Sequence, residues 1–118
     1  EWARPVWYGI VASDTLQVAP ARCQDDERHI CPLQLGTIER CIRLWSNEDE
    51  VVLDPFLGIG STAHEAVRLG RRGLGVELKA EYFAVARQNV TSAELLRRSG
   101  DLFSYAGIVV ENGHAAVD

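Results

Sequence analysis

The sequence predicts an α/β fold, a mostly parallel sheet flanked by helices, and three observations carry that reading. A short apolar run, Val51-Val52-Leu53, enters a glycine-containing turn and then an amphipathic stretch, Ala63–Leu69. That order is strand, tight turn, helix. A second unit of the same kind follows, with Gly73–Leu78 read as strand and Ala80–Arg98 as helix; alternation of strand and helix favours a parallel sheet. The chain has 118 residues, 47% of them hydrophobic, which bounds it to one small domain of ordinary globular composition.

The elements follow in chain order. Pro5 and Gly9 interrupt any early helix, so Val6–Val11 reads as an edge strand that buries the aromatics Trp2 and Trp7, and Ser13-Asp14-Thr15 as a turn or cap. Residues 23–34 read as a loop, with Pro32 near the start of a helix, where its missing N–H costs nothing. Leu35, Ile38, Cys41, Ile42 and Trp45 mark one face of that helix; Glu39, Arg40 and Arg43 lie off the stripe and are expected in solvent. A polar loop, Ser46–Glu50, precedes the strand Val51–Leu53. The next helix is expected to turn Ala63, Ala66 and Val67 inward and to end at Gly70 as its C′ residue. Helix, short turn and parallel strand make a right-handed crossover by default. The helix Ala80–Arg98 carries Phe83, Ala86, Val90 and Ala93 on one face, Phe83 being expected in the core, and Ser99-Gly100 is expected to close it. Residues 101–118 hold one apolar run, Ala106–Val110, read as a weak strand or tail; Gly113-His114 reads as loop, without function. No internal repeat or low-complexity linker is present.

The chemistry concentrates in Asp54-Pro55-Phe56-Leu57-Gly58-Ile59-Gly60-Ser61-Thr62. Gly58 and Gly60 let the backbone turn sharply and approach a ligand closely. The helix behind them exposes unpaired N–H groups in its first turn. Asp54 is expected where the strand ends, facing the crevice in which open α/β sheets bind ligands. Gly58 to Ala63 fits G-x-G-x-x-A, which suggests a dinucleotide. A carboxylate just before the first glycine would repel a pyrophosphate, however. It suits a ligand with a cationic end, such as the ammonium and sulfonium of S-adenosylmethionine. Glu77 falls 17 positions after Gly60, at the end of the second strand, where a carboxylate accepts hydrogen bonds from ribose hydroxyls. Together these features point to an adenosine-containing ligand.

The run Asp54–Thr62 resembles the cofactor-binding motif, D-P-F-x-G-x-G-S/T-T, of DNA amino-methyltransferases, enzymes that methylate adenine N6 or cytosine N4. Gly75-Val76-Glu77 followed by Lys79–Tyr82 resembles the family's second cofactor motif, in which Tyr82 would wall the adenine. His29-Ile30-Cys31-Pro32-Leu33-Gln34 resembles a His…Pro segment that completes the cofactor pocket, but departs from its commonest form, H-P-x-Q-K-P, in lacking the lysine. The resemblance covers about residues 1–100, with residues 1–22 similar to phage-type members. It implies a Rossmann-like S-adenosylmethionine-dependent methyltransferase fold, here partial, with Asp54, Pro55, Phe56, Gly58, Gly60, Ser61, Thr62, Glu77, Tyr82, His29, Cys31 and Pro32 as cofactor-binding residues. One class of the family is circularly permuted, the catalytic half first and the cofactor half second, and this chain resembles the second half.

The family's catalytic motif, D/N/S-P-P-Y/W/F, is absent: no Pro-Pro pair occurs in these residues. The chain is therefore expected to be the cofactor-binding part, residues 1–100 with a tail at 101–118, of a site-specific DNA methyltransferase whose N-terminal catalytic half lies elsewhere. A start at Glu1 rather than Met fits a fragment. Alone it is expected to bind S-adenosylmethionine weakly or not at all, to methylate nothing, and to be sticky and marginally stable because the missing half would cover a sheet edge. Adenine N6 is favoured over cytosine N4 only by frequency in the family, and RNA or protein acceptors are not excluded by the cofactor turn. The alternatives are a non-catalytic prophage remnant that binds a nucleotide or cofactor, and part of an NAD-dependent oxidoreductase.

Composition adds exclusions. A net charge of −5 is not that of a free-standing DNA-binding module, so DNA is expected as a partner through the complete enzyme. No apolar run approaches the roughly 20 residues that span a bilayer, and no membrane partner is expected. Three cysteines, Cys23, Cys31 and Cys41, form no C-x-x-C pair; an odd count fits a reduced, cytoplasmic setting in a bacterial or phage-infected cell. Cys23, His29 and Cys31 lack a fourth zinc ligand at familiar spacing, and no metal is expected. The resemblance admits a homodimer without fixing one.

Overall fold

The computed structural model describes residues 4–17, 31–105, 110–111 and 114–115. Its elements are α1 (Leu35–Trp45), β1 (Val51–Asp54), α2 (Ser61–Arg68), β2 (Arg72–Gly75), α3 (Ala80–Tyr105), β3 (Val110–Glu111) and β4 (His114–Ala115). β1 and β2 pair in parallel, Val51 opposite Arg72 and Leu53 opposite Leu74. β3 and β4 form a separate antiparallel pair. The expected α/β architecture is present, and α2 is its centre.

α2 is narrow because its inward residues are small. Ala66 is fully buried and packs with Leu69 against Ile38 and Ile42 of α1, with Leu35 and Val52 at the margin. Ala63 faces the sheet so closely that a Cβ on Gly73 would lie 3.0 Å from its Cα. On the other side Ala63 packs with Leu57 and Ala86, bringing α3 into contact. α2 ends as its sequence predicts. Gly70 takes φ 80°, its N–H donates to Val67, and the Arg71 N–H donates to Ala66 at 2.7 Å. These are the two bonds of a Schellman cap.

The N-terminal segment is tied to α1 rather than to the sheet. Arg40 donates to the Tyr8 carbonyl at 3.0 Å and lies 5.8 Å from the Trp7 ring centroid. The Asp14 carbonyl accepts the Leu35 N–H at 2.8 Å, satisfying one of the unpaired donors at the start of α1. Ser13-Asp14-Thr15 is the expected turn, with Asp14 N–H bonded to Val11. Val6–Val11 is not a strand: Gly9 at φ 74° breaks the extended run, and its polar contacts go to α1. Trp7 is half-buried; Trp2 lies outside the described residues.

Other boundaries and faces differ from expectation for identifiable reasons. β2 ends at Gly75, not Leu78, because β1 turns out of the sheet at Asp54–Pro55; Val76 still bonds across to Asp54 and Leu57, but as a loop residue. α3 runs through Ser99-Gly100 to Tyr105; the Ser99 hydroxyl bonds back to Leu95 at 2.9 Å, and Gly100 keeps a helical φ. Trp45, the last residue of α1, is 75% exposed although it lies only about 20° around the helix from the buried Ile38. Phe83 is exposed while Val85 is buried; the buried face of α3 runs through Val85, Ala86 and Ala93, with Phe83 at its rim. Val67 is only half-buried, and His64 and Glu65 are buried in α2 beside the expected Ala63 and Ala66. His114 lies in β4 rather than a loop. The run Ala106–Val110 falls mostly outside the described residues; its last member begins β3.

The face of the sheet turned away from α2 is open. Val51, Leu53 and Leu74 are each more than half exposed, while Val52, on the alternate face, packs into the core. Among the described residues no helix is long and apolar enough to cross a membrane.

Glu65 is 1% exposed and lies at the centre of the polar tie between α1 and α2. It accepts from Arg68 at 2.6 Å and lies 3.0 Å from His64 Nδ1; Arg68 also reaches Glu39 at 3.0 Å, and Glu39 pairs with Arg43. Glu39 and Arg40 are thus half-buried and engaged rather than simply solvated. Burial alone would raise the Glu65 carboxyl, but the hydrogen bonds from His64 and Arg68 and the Arg68 charge outweigh it and hold the pKa below the ordinary value. A depressed folded-state pKa adds stability that is fully present above the unfolded value, about 4.3, and is lost as pH falls through the folded one. Glu65→Gln is expected to lower stability near neutral pH by about 2 kcal/mol and to flatten the acid limb of a urea-melt pH series.

Candidate functional site

Three chain segments converge where β1 and β2 end. The β1 carboxylate Asp54 is half-buried, and its Oδ1 accepts the Phe56 N–H at 2.9 Å. This local turn carries the chain out of the strand past Pro55. The Asp54 carbonyl accepts the Val76 N–H, and the Val76 carbonyl accepts the Leu57 N–H at 2.9 Å. The ladder between the strands is thus continued by the two loops. Leu57 is buried so tightly that a Cβ on Gly75 would lie 2.5 Å from its Cδ1.

Glu77 joins the loops. It lies two residues beyond β2; Oε2 accepts the Gly58 N–H at 2.8 Å and Oε1 accepts the Lys79 N–H at 2.9 Å. Its expected role was to receive ribose hydroxyls, and the bond to Gly58 was not legible from spacing. The roles are compatible, because a carboxylate offers about four lone-pair positions and the two backbone donors use two.

The glycine turn itself rests on α3. Gly60, at φ 90°, is the N-cap of α2 and supplies no side-chain cap. The first N–H groups of α2, at Ser61 and Thr62, therefore begin a helix whose positive end faces the turn. Ile59 is buried against Val85, with Leu16 and Tyr82 beside it, and its carbonyl accepts from Asn89 Nδ2 at 2.8 Å. Lys79 Nζ lies 5.2 Å from the Tyr82 ring centroid.

The structure thus brings together Asp54, Pro55, Phe56, Gly58, Gly60, Ser61, Thr62, Glu77 and Tyr82. Phe56 is 88% exposed, so its ring contributes nothing to the core and stands at the rim. Pro32 is not at the first turn of α1: it precedes the N-cap Gln34 by two residues and is half-buried, while Cys31 is exposed. His29 and Cys23 lie outside the described residues. Leu16 and Asn89 were not foreseen. A lone leucine in an irregular segment and an asparagine within a helix carry no local signal; only the fold places them on Ile59. Among the described residues no group of three His, Cys, Asp or Glu side chains could hold a metal ion.

Chemically, the site offers one half-buried carboxylate at a strand end, a second carboxylate with spare acceptor capacity, a helix N-terminus and, beside Ile59, the Tyr82 ring. That set accommodates a ligand with both a cationic group and a hydroxylated sugar.

The sequence profile of the DNA methylase family of N6/N4 type matches residues 2–88. Over 54 residues the chain is 48% identical to the type II methyltransferase M1.MboII of Moraxella bovis, a match covering 46% of this chain and 21% of that protein. It is 29% identical to the type II methyltransferase M.BglI of Bacillus subtilis over all of this chain and 30% of that protein. The chain therefore spans less than a third of the length of these two relatives. Among solved structures, a Thermus thermophilus protein assigned as a DNA modification methylase, crystallised with S-adenosyl-L-methionine, superposes with a TM-score of 0.51 and 44% identity. That match covers 52% of this chain and 26% of the other.

The two glycines of the turn should differ in their tolerance of a side chain. Gly60 combines φ 90° with an Ala86 backbone atom 3.0 Å from its virtual Cβ, whereas Gly58, at φ 56°, has open space. Gly58→Ala is expected to cost about 1 kcal/mol from the left-handed conformation alone. Gly60→Ala should cost roughly twice that or more, because helix backbone must also move. Urea denaturation of the two variants checks the difference.

Proposed function

The chain belongs to the DNA methylase family, and from that premise we propose that it is the cofactor-binding part of an S-adenosylmethionine-dependent DNA amino-methyltransferase. The observation that carries the proposal is the convergence of Asp54, the Gly58–Gly60 turn and Glu77 on one spot at the carboxyl ends of β1 and β2.

The residues present fit the cofactor. Bound S-adenosylmethionine supplies an electrophilic methyl on a sulfonium. Glu77 would receive the ribose hydroxyls on its remaining lone pairs while it keeps Gly58 in place. Asp54 would hold the cationic amino-acid end, Tyr82 would stand beside the adenine, and Gly58 and Gly60 would let the backbone come close. His29, Cys31 and Pro32 would complete the pocket from the segment before α1. None of these groups moves a proton: they bind, orient and fix the cofactor, and alignment for in-line displacement is where the rate arises.

The acceptor amino group, adenine N6 in preference to cytosine N4, must be taken out of the duplex before it reaches the methyl. Positioning it falls to a D/N/S-P-P-Y/W/F motif, which these 118 residues lack. We assign that motif, and the contacts with DNA, to the remainder of a longer protein. The open apolar face of the sheet, Val51, Leu53 and Leu74, supports this assignment, since parallel sheets are ordinarily covered on both faces. The absent motif is also the one observation favouring the alternative, a cofactor-binding remnant without catalysis.

The test is titration of the purified chain with S-adenosylhomocysteine, followed by NMR so that weak binding is measured, with Asp54→Ala and Glu77→Ala alongside. Weak binding by the wild type, lost in both variants, is the expected result, with no methyl transfer to DNA by the chain alone. Displacement of the ligand by NAD would overturn the assignment in favour of a dinucleotide site.

A further inference from the structure

One stripe of α3 forms the surface on which the glycine turn is laid. Tyr82 and Val85 bury the Ile59 side chain. Ala86 meets Gly60 at a distance that excludes any side chain there. Asn89, one helical turn further on, donates its amide to the Ile59 carbonyl at 2.8 Å. The peptide unit joining Ile59 to Gly60 is thereby fastened at both ends, because its N–H donates to the Leu57 carbonyl at 2.9 Å. A peptide held at its carbonyl and its N–H cannot rotate about its flanking bonds, and a glycine pair gives the chain little other resistance to rotation.

We propose that Asn89 is a positioning residue for the cofactor turn. Its amide sets the plane of the Ile59–Gly60 peptide, and with it the direction in which Gly58 and the first N–H groups of α2 face the ligand. The inference rests on the cofactor reading above and adds to it a residue outside both recognition motifs. Asn89 touches no substrate atom; it acts through Ile59. A helix-borne amide is suited to this, since α3 is rigid and the side chain is partly buried.

Asn89→Asp is nearly isosteric but replaces the donor with an acceptor facing the Ile59 carbonyl. Its affinity for S-adenosylhomocysteine, read by NMR titration of the whole chain, is expected to fall roughly tenfold, with the backbone amide resonances of Gly58, Ile59 and Gly60 displaced. Ala93→Gly is the stability control: Ala93 is fully buried in the same helix, and its loss is expected to destabilise α3 while leaving affinity within about twofold. Asn89→Ser, too short to reach Ile59 and without added charge, answers the same question if Asn89→Asp does not fold. Equal affinity in wild type and the Asn89 variants, or an equal loss in Ala93→Gly, would overturn the role of Asn89 and leave the cofactor reading standing. A folded wild type whose resonances do not respond to S-adenosylhomocysteine would overturn both.

Discussion

The constraint on which the glycine turn depends is the approach of Gly60 to the backbone of α3. A Cβ at that position would lie 3.0 Å from the Ala86 Cα, so the turn and the helix meet without a side chain between them. The start of α2, the burial of Ile59 and the path from Asp54 to Ser61 all follow from that contact. Similar approaches recur at Gly73 on Ala63 and at Gly75 on Leu57. Glycine at one surface and alanine or a single leucine at the other bring the layers together with few large side chains in the core. Packing at this density leaves little room for adjustment, and it concentrates rigidity where the two loops leave the sheet.

Rigidity also has an electrostatic form. Glu77 reaches across from the β2 loop to the β1 loop, and Glu65 does the equivalent between helices through Arg68 and Glu39. The two carboxylates sit in different settings. Glu65 is enclosed and paired with the Arg68 guanidinium. Glu77 is half-buried and bound by neutral N–H donors, which satisfies part of its capacity without neutralising its charge. One is a structural tie, and the other remains able to engage a ligand.

Much of this was legible in the sequence because it depends on local chemistry. The helix stripe Leu35–Ile38–Ile42, the strand Val51–Leu53, the Schellman glycine Gly70 and the motif Asp54–Thr62 each carry their own signal within a few residues. What was not legible depends on partners distant in sequence. Val6–Val11 has the composition of a strand, yet it finds α1 rather than a strand edge. Gly75–Leu78 has strand composition too, but its partner turns away at Pro55. Ser99-Gly100 reads as a stop signal, and the serine hydroxyl instead bonds within the helix it was expected to end. Asn89 and Leu16 became visible only when the fold set them on Ile59. The recognised motifs thus point to what the turn is for, while the residues that hold it in shape lie outside them.

Among the described residues the first regular element begins at Leu35, but the fold does not. Arg40 grips the backbone at Tyr8, the Asp14 carbonyl caps α1, and Leu16 packs on the cluster of Ile59, Val85 and Tyr82. A stretch without a strand or helix of its own is therefore an integral wall of the glycine turn. This has a consequence for the order in which the pocket can be assembled during synthesis. Leu16 leaves the ribosome well before Ile59, and the α3 residues against which it packs come later still. The early segment can dock on α1 as soon as that helix forms, but Leu16 has no seat until α3 has been completed past Val85.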